Sequence, residues 1–232
     1  MNFSRCDDVK YRSFRVGKTK ALAVYVSGLT DTSKLEKTVI ESLTSRLDRY
    51  DSFKDPKEMI EFLITAANVE VVAKPIDVIK KVLTGQSLIF IDGISDAVLI
   101  DTVKFEKRQI SKAENEDVSK GPHDSFNETF SDNIALIRRR TKDPDLKIEI
   151  FEIGSRTQTS VALIYVDDLV KQELVDEVRN RLLAICIDTV ILATTIEAFL
   201  TSRPWNPFPQ VLITERPDKI VAGLYEGRVG IV

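Results

Sequence analysis

Three consecutive arginines, Arg138, Arg139 and Arg140, and the charged stretch Thr214-Glu215-Arg216-Pro217-Asp218-Lys219 are the densest groups of reactive side chains in the sequence. Guanidinium forks hold carboxylates and phosphates in a bidentate way, so the chemistry on offer is ion pairing or anion capture. On a helix, three successive arginines point in three directions and cannot share one salt bridge, so at least one reaches elsewhere. Asp218 falls near a helix start, where a carboxylate complements the dipole, and Glu215 with Arg216 is placed to pair with the triplet across a junction between lobes. The candidate ligand-binding or inter-lobe set is therefore Arg138, Arg139, Arg140, Glu215, Arg216 and Asp218.

Other chemistries find no residues to carry them. His123 is the single histidine and adjoins a linker, far in sequence from Cys6 and Cys186, so neither a Ser-His-Asp nor a Cys-His arrangement assembles. One His and two distant Cys make no closed zinc set, and no cofactor or metal is expected. Gly17-Lys18-Thr19 ends like a phosphate-binding loop, but it lacks the upstream glycine and precedes a strand, so it reads as a hairpin turn. An enzyme is not expected. With 33 Lys+Arg against 36 Asp+Glu, the net charge of −3 offers no basic field for nucleic acid. Two cysteines so far apart give no disulfide framework. The apolar stretch Leu182 to Leu200 is interrupted by Asp188 and Glu197, so it does not span a membrane.

The elements that must position these residues repeat. Pro75 to Gly85 and Pro217 to Gly227 each place proline and glycine ten residues apart, at an offset of 142. Proline suits the first helical turn, where its missing N–H has no partner anyway, and glycine suits the left-handed position past a helix end. Short β-branched runs flank each helix: Val69 to Ala73 and Ser87 to Ile91 in one copy, Val211 to Thr214 and Val229 to Val232 in the other. Ala21 to Val26 then Leu29 matches Val161 to Val166 then Leu169 at an offset of 140. Amphipathic helices follow, with Leu35, Val39 and Leu43 or Leu174, Val178 and Leu182 at helical spacing. A further helix comes next in each copy, Pro56 to Ala66 and Thr189 to Thr201.

Hairpin partners precede the first strand of each copy, Ser13 to Val16 and Ile148 to Ile153, and Asp92-Gly93 marks a hairpin turn leading into the strand Ala97 to Val103. The fold class read from this order is α/β: two topologically similar lobes, each a small mixed β-sheet with flanking helices, joined by a linker and a bridging helix. The lobes cover residues 1–112 and 144–232, with the linker and bridging helix over 113–143. That helix begins at Asp124 and carries Phe126, Phe130, Ile134 and Ile137 on one face. The second copy stops at Val232 without the final strand, and we expect a fragment of a longer protein. Pro204 to Gln210, with the single tryptophan Trp205, reads as a rigid connector clamping the second lobe.

Gly121-Pro122 with Phe126 and Glu128, Asn133 to Arg140, Asp143-Pro144, Pro207 to Gln210, Thr214 to Lys219 and Glu226-Gly227-Arg228-Val229 resemble the signature blocks of the spore germinant-receptor A subunit, the GerA family. The likeness is dense in the second half and looser in the first, where Ile91-Asp92-Gly93 and the duplicated pattern agree. His123 and Ser131 stand where arginine is common in that pattern. The resemblance implies the hydrophilic N-terminal domain of a membrane protein of the spore inner membrane, itself soluble and on the spore-core side. It implies a role in nutrient-germinant sensing and signal transduction, without enzymatic activity. The implied partners are the receptor B and C subunits, an amino acid or sugar germinant, and further A subunits. The alternative it leaves open is an assembly platform for the A, B and C subunits that binds no germinant.

Overall fold

The computed structural model describes residues 3–16, 19–41, 69–72, 75–93, 95–104, 124–201 and 208–232. Outside these residues lie Leu43, the expected helix over 56–66, the linker over 113–122, His123, Gly17, Lys18 and residues 204–207 of the expected connector, Trp205 among them. The chain divides into two compact units, each with its own apolar interior. The first takes the described residues of the N-terminal half from Asp8 onward, with Phe3 and Lys142–Pro144. The second takes Ser4–Asp7, residues 124–141 and the chain from Asp145.

The first unit is built on a sheet of five strands: β1 (Val9–Val16), β2 (Thr19–Val26), β3 (Val69–Val72), β4 (Ser87–Ile91) and β5 (Ala97–Ile100), in the order β1-β2-β4-β5-β3. Alternation along β2 decides its two faces. Ala21 and Ala23 turn one way with Ile89, Ile91, Val98 and Ile100, and are covered by Leu35 and Val39. Those two come from α1 (Thr32–Leu35) and the wider π turn that continues it over Glu36–Glu41. Asp31 starts α1 by accepting the Lys34 N–H at 3.0 Å, the N-cap role for which a short carboxylate is suited. Helix α2 (Pro75–Val82) packs on β2, β3 and β4, burying Val78 and Val82.

Among the described residues, the second unit has three strands, β6 (Leu146–Ile153), β7 (Thr159–Val166) and β8 (Gly230–Ile231), in that order. Ile153, Val161, Leu163 and Tyr165 meet Val175 and Leu182 of α4 (Gln172–Leu183) and Ile196 of α5 (Ala193–Leu200). Leu146, Ile148, Ala162, Ile164 and Val166 meet Ile134 and Ile137 of α3 (Phe130–Arg140) and Leu224 of α6 (Pro217–Tyr225). Both faces of the sheet are therefore covered by helices. Burying each Leu, Ile or Val side chain in such a core stabilises by roughly 1.5–3 kcal/mol.

The two units follow one plan down to strand register. Ala23 pairs with Ile89 and Val24 with Leu88 in the first; Leu163 pairs with Ile231 and Ile164 with Gly230 in the second. Offsets of 140 and 142 relate these partners, the same offsets found in the sequence. Both hairpins, β1–β2 and β6–β7, hold eight residue pairs. At a β-carbon added to Gly85 the Leu29 carbonyl oxygen would stand at 2.7 Å; at Gly227 the Leu169 oxygen would stand at the same distance. Both glycines take positive φ, +98° and +78°, so helix α2 and helix α6 end in the same way against the same turn.

Three expectations change in detail. The fold class is α/β with two similar lobes, but among the described strands every ladder is antiparallel. Strands β3 and β4 flank helix α2 in a strand-helix-strand unit that would make a parallel pair, yet β5 inserts between them and bonds antiparallel to each. Val211–Thr214 forms no strand. Its counterpart β3 is held by β5 alone, and the described second unit holds no counterpart of β5 for it to join. Finally, α3 begins at Phe130, not Asp124, and α5 at Ala193, not Thr189.

Candidate functional site

The later start of α3 has a local cause. Asn127 N–H donates to Asn133 Oδ1 at 2.8 Å, Asn133 Nδ2 donates to the Asn127 carbonyl at 2.7 Å, and Asn127 Oδ1 accepts the Thr129 N–H at 2.7 Å. These bonds hold residues 127–129 in a turn that competes with helix. The Phe126 N–H is drawn away too, donating to the Glu215 carbonyl at 2.9 Å. The segment before α3 is thereby tied to the segment before α6, and the charged candidates meet there.

Arg140 reaches back to Asp124, Nη2 to Oδ2 at 2.5 Å, with both side chains about one-fifth exposed. Arg216 closes a bidentate pair on Asp218, Nε to Oδ1 at 3.1 Å and Nη2 to Oδ2 at 2.5 Å. That fork holds the Asp218 carboxyl below the usual carboxylate range. Burial opposes the shift, while the charges of Arg216 and Arg140 add to it. Arg138 turns inward, fully buried, and donates from Nη1 to the Leu146 carbonyl at 3.2 Å. Arg139 is half-buried. Arg138 and Arg140 thus take different partners, one a backbone carbonyl in the core and the other a carboxylate.

All six candidates lie in the second unit, with Arg140, Glu215, Arg216 and Asp218 gathered where α3 ends and α6 begins. The sequence leads one to expect Glu215 with Arg216 to pair with the triplet; in the structure Arg216 pairs with Asp218, two residues on, whose carboxyl also lies within the influence of Arg140. Arg140 is paired with Asp124 and Arg216 with Asp218, so an anion drawn to either guanidinium would compete with that carboxylate. Among the described residues, no group of three or more His, Cys, Asp or Glu is placed to hold a metal ion. Cys186 is exposed, whereas Cys6 is buried with Sγ 3.6 Å from the Leu146 carbonyl.

A second polar cluster escaped the sequence reading. Glu149 on β6 accepts from Arg179 of α4, Nε at 2.8 Å and Nη2 at 2.6 Å, and from the Tyr165 hydroxyl at 2.7 Å. Arg179 also pairs with Asp176. Burial pushes the Glu149 carboxyl up, but the bonds from Arg179 and Tyr165 outweigh it and leave the group below its usual range. Burial and the neighbouring carboxylate push the Tyr165 phenol up to about 12. The Arg5 guanidinium, on a backbone in the left-handed region at φ 60°, lies near the same phenol. Its neighbours clip the edge of β6. Asp7 N–H donates to the Ile148 carbonyl at 2.8 Å, and Asp7 Oδ2 accepts the Ile150 N–H at 2.7 Å. Register could have signalled this: Tyr165 lies opposite Lys147 and so diagonal to Glu149 on one face.

A protein-family model described as the Bacillus/Clostridium GerA spore germination protein matches residues 1–232. The chain belongs to the GerA family. Within it, the chain is 34% identical over 218 residues to spore germination protein GerLA of Bacillus cereus, covering 92% of this chain and 43% of that one. It is 31% identical over 228 residues to spore germination protein B1 of Bacillus subtilis (strain 168), covering 97% and 47%. The chain thus spans less than half the length of the GerA relatives it matches. Its fold is similar to the crystal structure of the N-terminal domain of the A subunit of the Bacillus megaterium spore germinant receptor GerK3. That likeness has a TM-score of 0.72 and 26% identity, covering 98% of this chain and 84% of that one. Among the described residues, no helix is long and apolar enough to cross a membrane.

Proposed function

We propose that this chain acts as the N-terminal domain of a germinant-receptor A subunit, and that it takes part in nutrient sensing and in passing the signal that starts spore germination. The observation that carries this reading is the match to the GerA model over the whole chain, joined to the likeness to an A-subunit N-terminal domain. In this reading the protein works at the spore inner membrane with B and C subunits, and its chemistry is binding and coupling, not catalysis. Arg138, Arg139, Arg140, Glu215, Arg216 and Asp218 are the residues through which a signal would pass. The Phe126 N–H bond to the Glu215 carbonyl and the packing of Ile134 and Ile137 against Leu224 join α3 and its lead-in to α6, so moving one helix moves the other.

A second reading is supported by exposed apolar side chains on the second unit. Leu183, Ile191, Leu192 and Phe208 are between 63% and 82% exposed, more than a chain working alone has reason to show. Under that reading the domain is a platform for receptor assembly and binds no germinant. Calorimetric titration of the protein with amino acids and sugars separates the two. Saturable heat with one germinant class supports direct sensing; the absence of heat with every one of them supports the platform.

A further inference from the structure

The second sheet ends where the first continues. In the first unit β4 turns at Asp92-Gly93 into β5, whose four residues are all buried, and β5 joins β4 to β3. In the second unit β8 corresponds to β4 through its register with β7, and Val211–Thr214 corresponds to β3 at the offset of 142. Among the described residues, β8 is an edge of its sheet and Val211–Thr214 belongs to no strand. Leu212 and Ile213 are 68% and 60% exposed there. An open strand edge, in a unit that also exposes apolar residues of strand composition, is a site for one more strand.

We propose that the outer edge of β8 receives one further strand of this same polypeptide, reached from β8 through a tight turn, and that this strand draws Val211–Thr214 into the sheet. The occupant is fixed by the duplication: the equivalent edge of β4 is filled by the strand that directly follows it. The relatives leave room for such a segment, since this chain spans less than half their length. Transfer of the first unit's register sets the pairing. Ile89 and Val71 both face Val98, and Leu88 and Glu70 both face Leu99. The incoming strand therefore places one residue between Ile231 and Ile213, and the next between Gly230 and Leu212. Its composition follows from the covered faces of the sheet: a continuous apolar run like Ala97-Val98-Leu99-Ile100, not an alternating one. This inference rests on the duplicated fold and is independent of the proposed function.

Native-state hydrogen exchange tests it on the polypeptide of its natural length, beside a form ending at Val232 and a form in which a copy of residues 91–102 follows Val232. The expected result is that amides of residues 211–214 and 229–231 exchange at least about tenfold more slowly in the natural-length protein than in the form ending at Val232. The grafted copy should restore that protection, with the protein monomeric in sedimentation. Equal exchange in the natural-length and shortened proteins overturns the proposal. So does protection that appears only on self-association, which would assign the edge to a second copy. If the shortened form fails to fold, the natural-length protein still decides: amides over 211–214 as protected as those of Val69–Val72 support the strand, and unprotected ones refute it.

Discussion

Glu149 ties together a sheet strand, a helix and a buried phenol, which converge on its two oxygens. Its side chain is 13% exposed and that of Arg179 19%. Removing the charge leaves a guanidinium short of its partner in a half-buried place, so Glu149→Gln should destabilise the second unit by about 2 kcal/mol, below the cost of breaking a fully buried pair. Urea unfolding at neutral pH checks this. Glu149 and Asp218 both ionise below the usual carboxylate range in the fold. Their stabilisation is complete above the unfolded values of about 4.3 for Glu and about 3.9 for Asp, and is lost as pH falls through the lower folded values. The gap between wild type and Glu149→Gln should therefore narrow between about pH 5 and pH 2. A gap that stays constant would mean the carboxylate is not held by its charge. Little of this cluster was legible beforehand. Arg216 and Asp218 lie two residues apart, whereas Glu149, Tyr165 and Arg179 meet only once the β6–β7 register and the packing of α4 are known.

At the scale of elements, the legible parts were those whose signals are complete within a few residues. Ser87–Ile91 is a strand as expected, because an apolar run between Gly85 and Asp92-Gly93 needs no distant help. Helix α6 begins at Pro217 and ends before Gly227 for the same reason. Val211–Thr214 has the composition of a strand but depends on a ladder partner, and α3 starts late because two asparagines claim the backbone before it. The shared glycine geometry gives a direct check on the duplication. Gly85→Ala and Gly227→Ala should each cost about 2 kcal/mol, since alanine meets both an unfavourable positive φ and a carbonyl oxygen. Gly223→Ala, inside α6 with open contacts of 3.6 Å and 3.9 Å, should instead gain about 0.5 kcal/mol. Thermal unfolding of the three variants reads both signs, and a harmless Gly227→Ala would break the equivalence of the two helix ends.

For the whole molecule, the duplicated plan was readable because repeated spacing survives where residue identity does not, and the paired registers at offsets of 140 and 142 bear it out. The N-terminal residues Ser4–Asp7 were not readable as part of the second unit. Arg5 and Asp7 bond to backbone atoms of β6 more than 140 residues away, and backbone pairing leaves little mark on sequence. The family likeness ties the chain to spore germination, and in the proposed function the charged cluster at the α3–α6 junction carries the signal. The most direct measurement is the germination rate of spores whose full-length protein carries Arg216→Ala and Asp218→Ala, with its abundance followed by immunoblot. We expect nutrient-triggered germination to slow by about tenfold at unchanged protein level, the scale of an ordinary coupling energy. An unchanged rate would contradict the account.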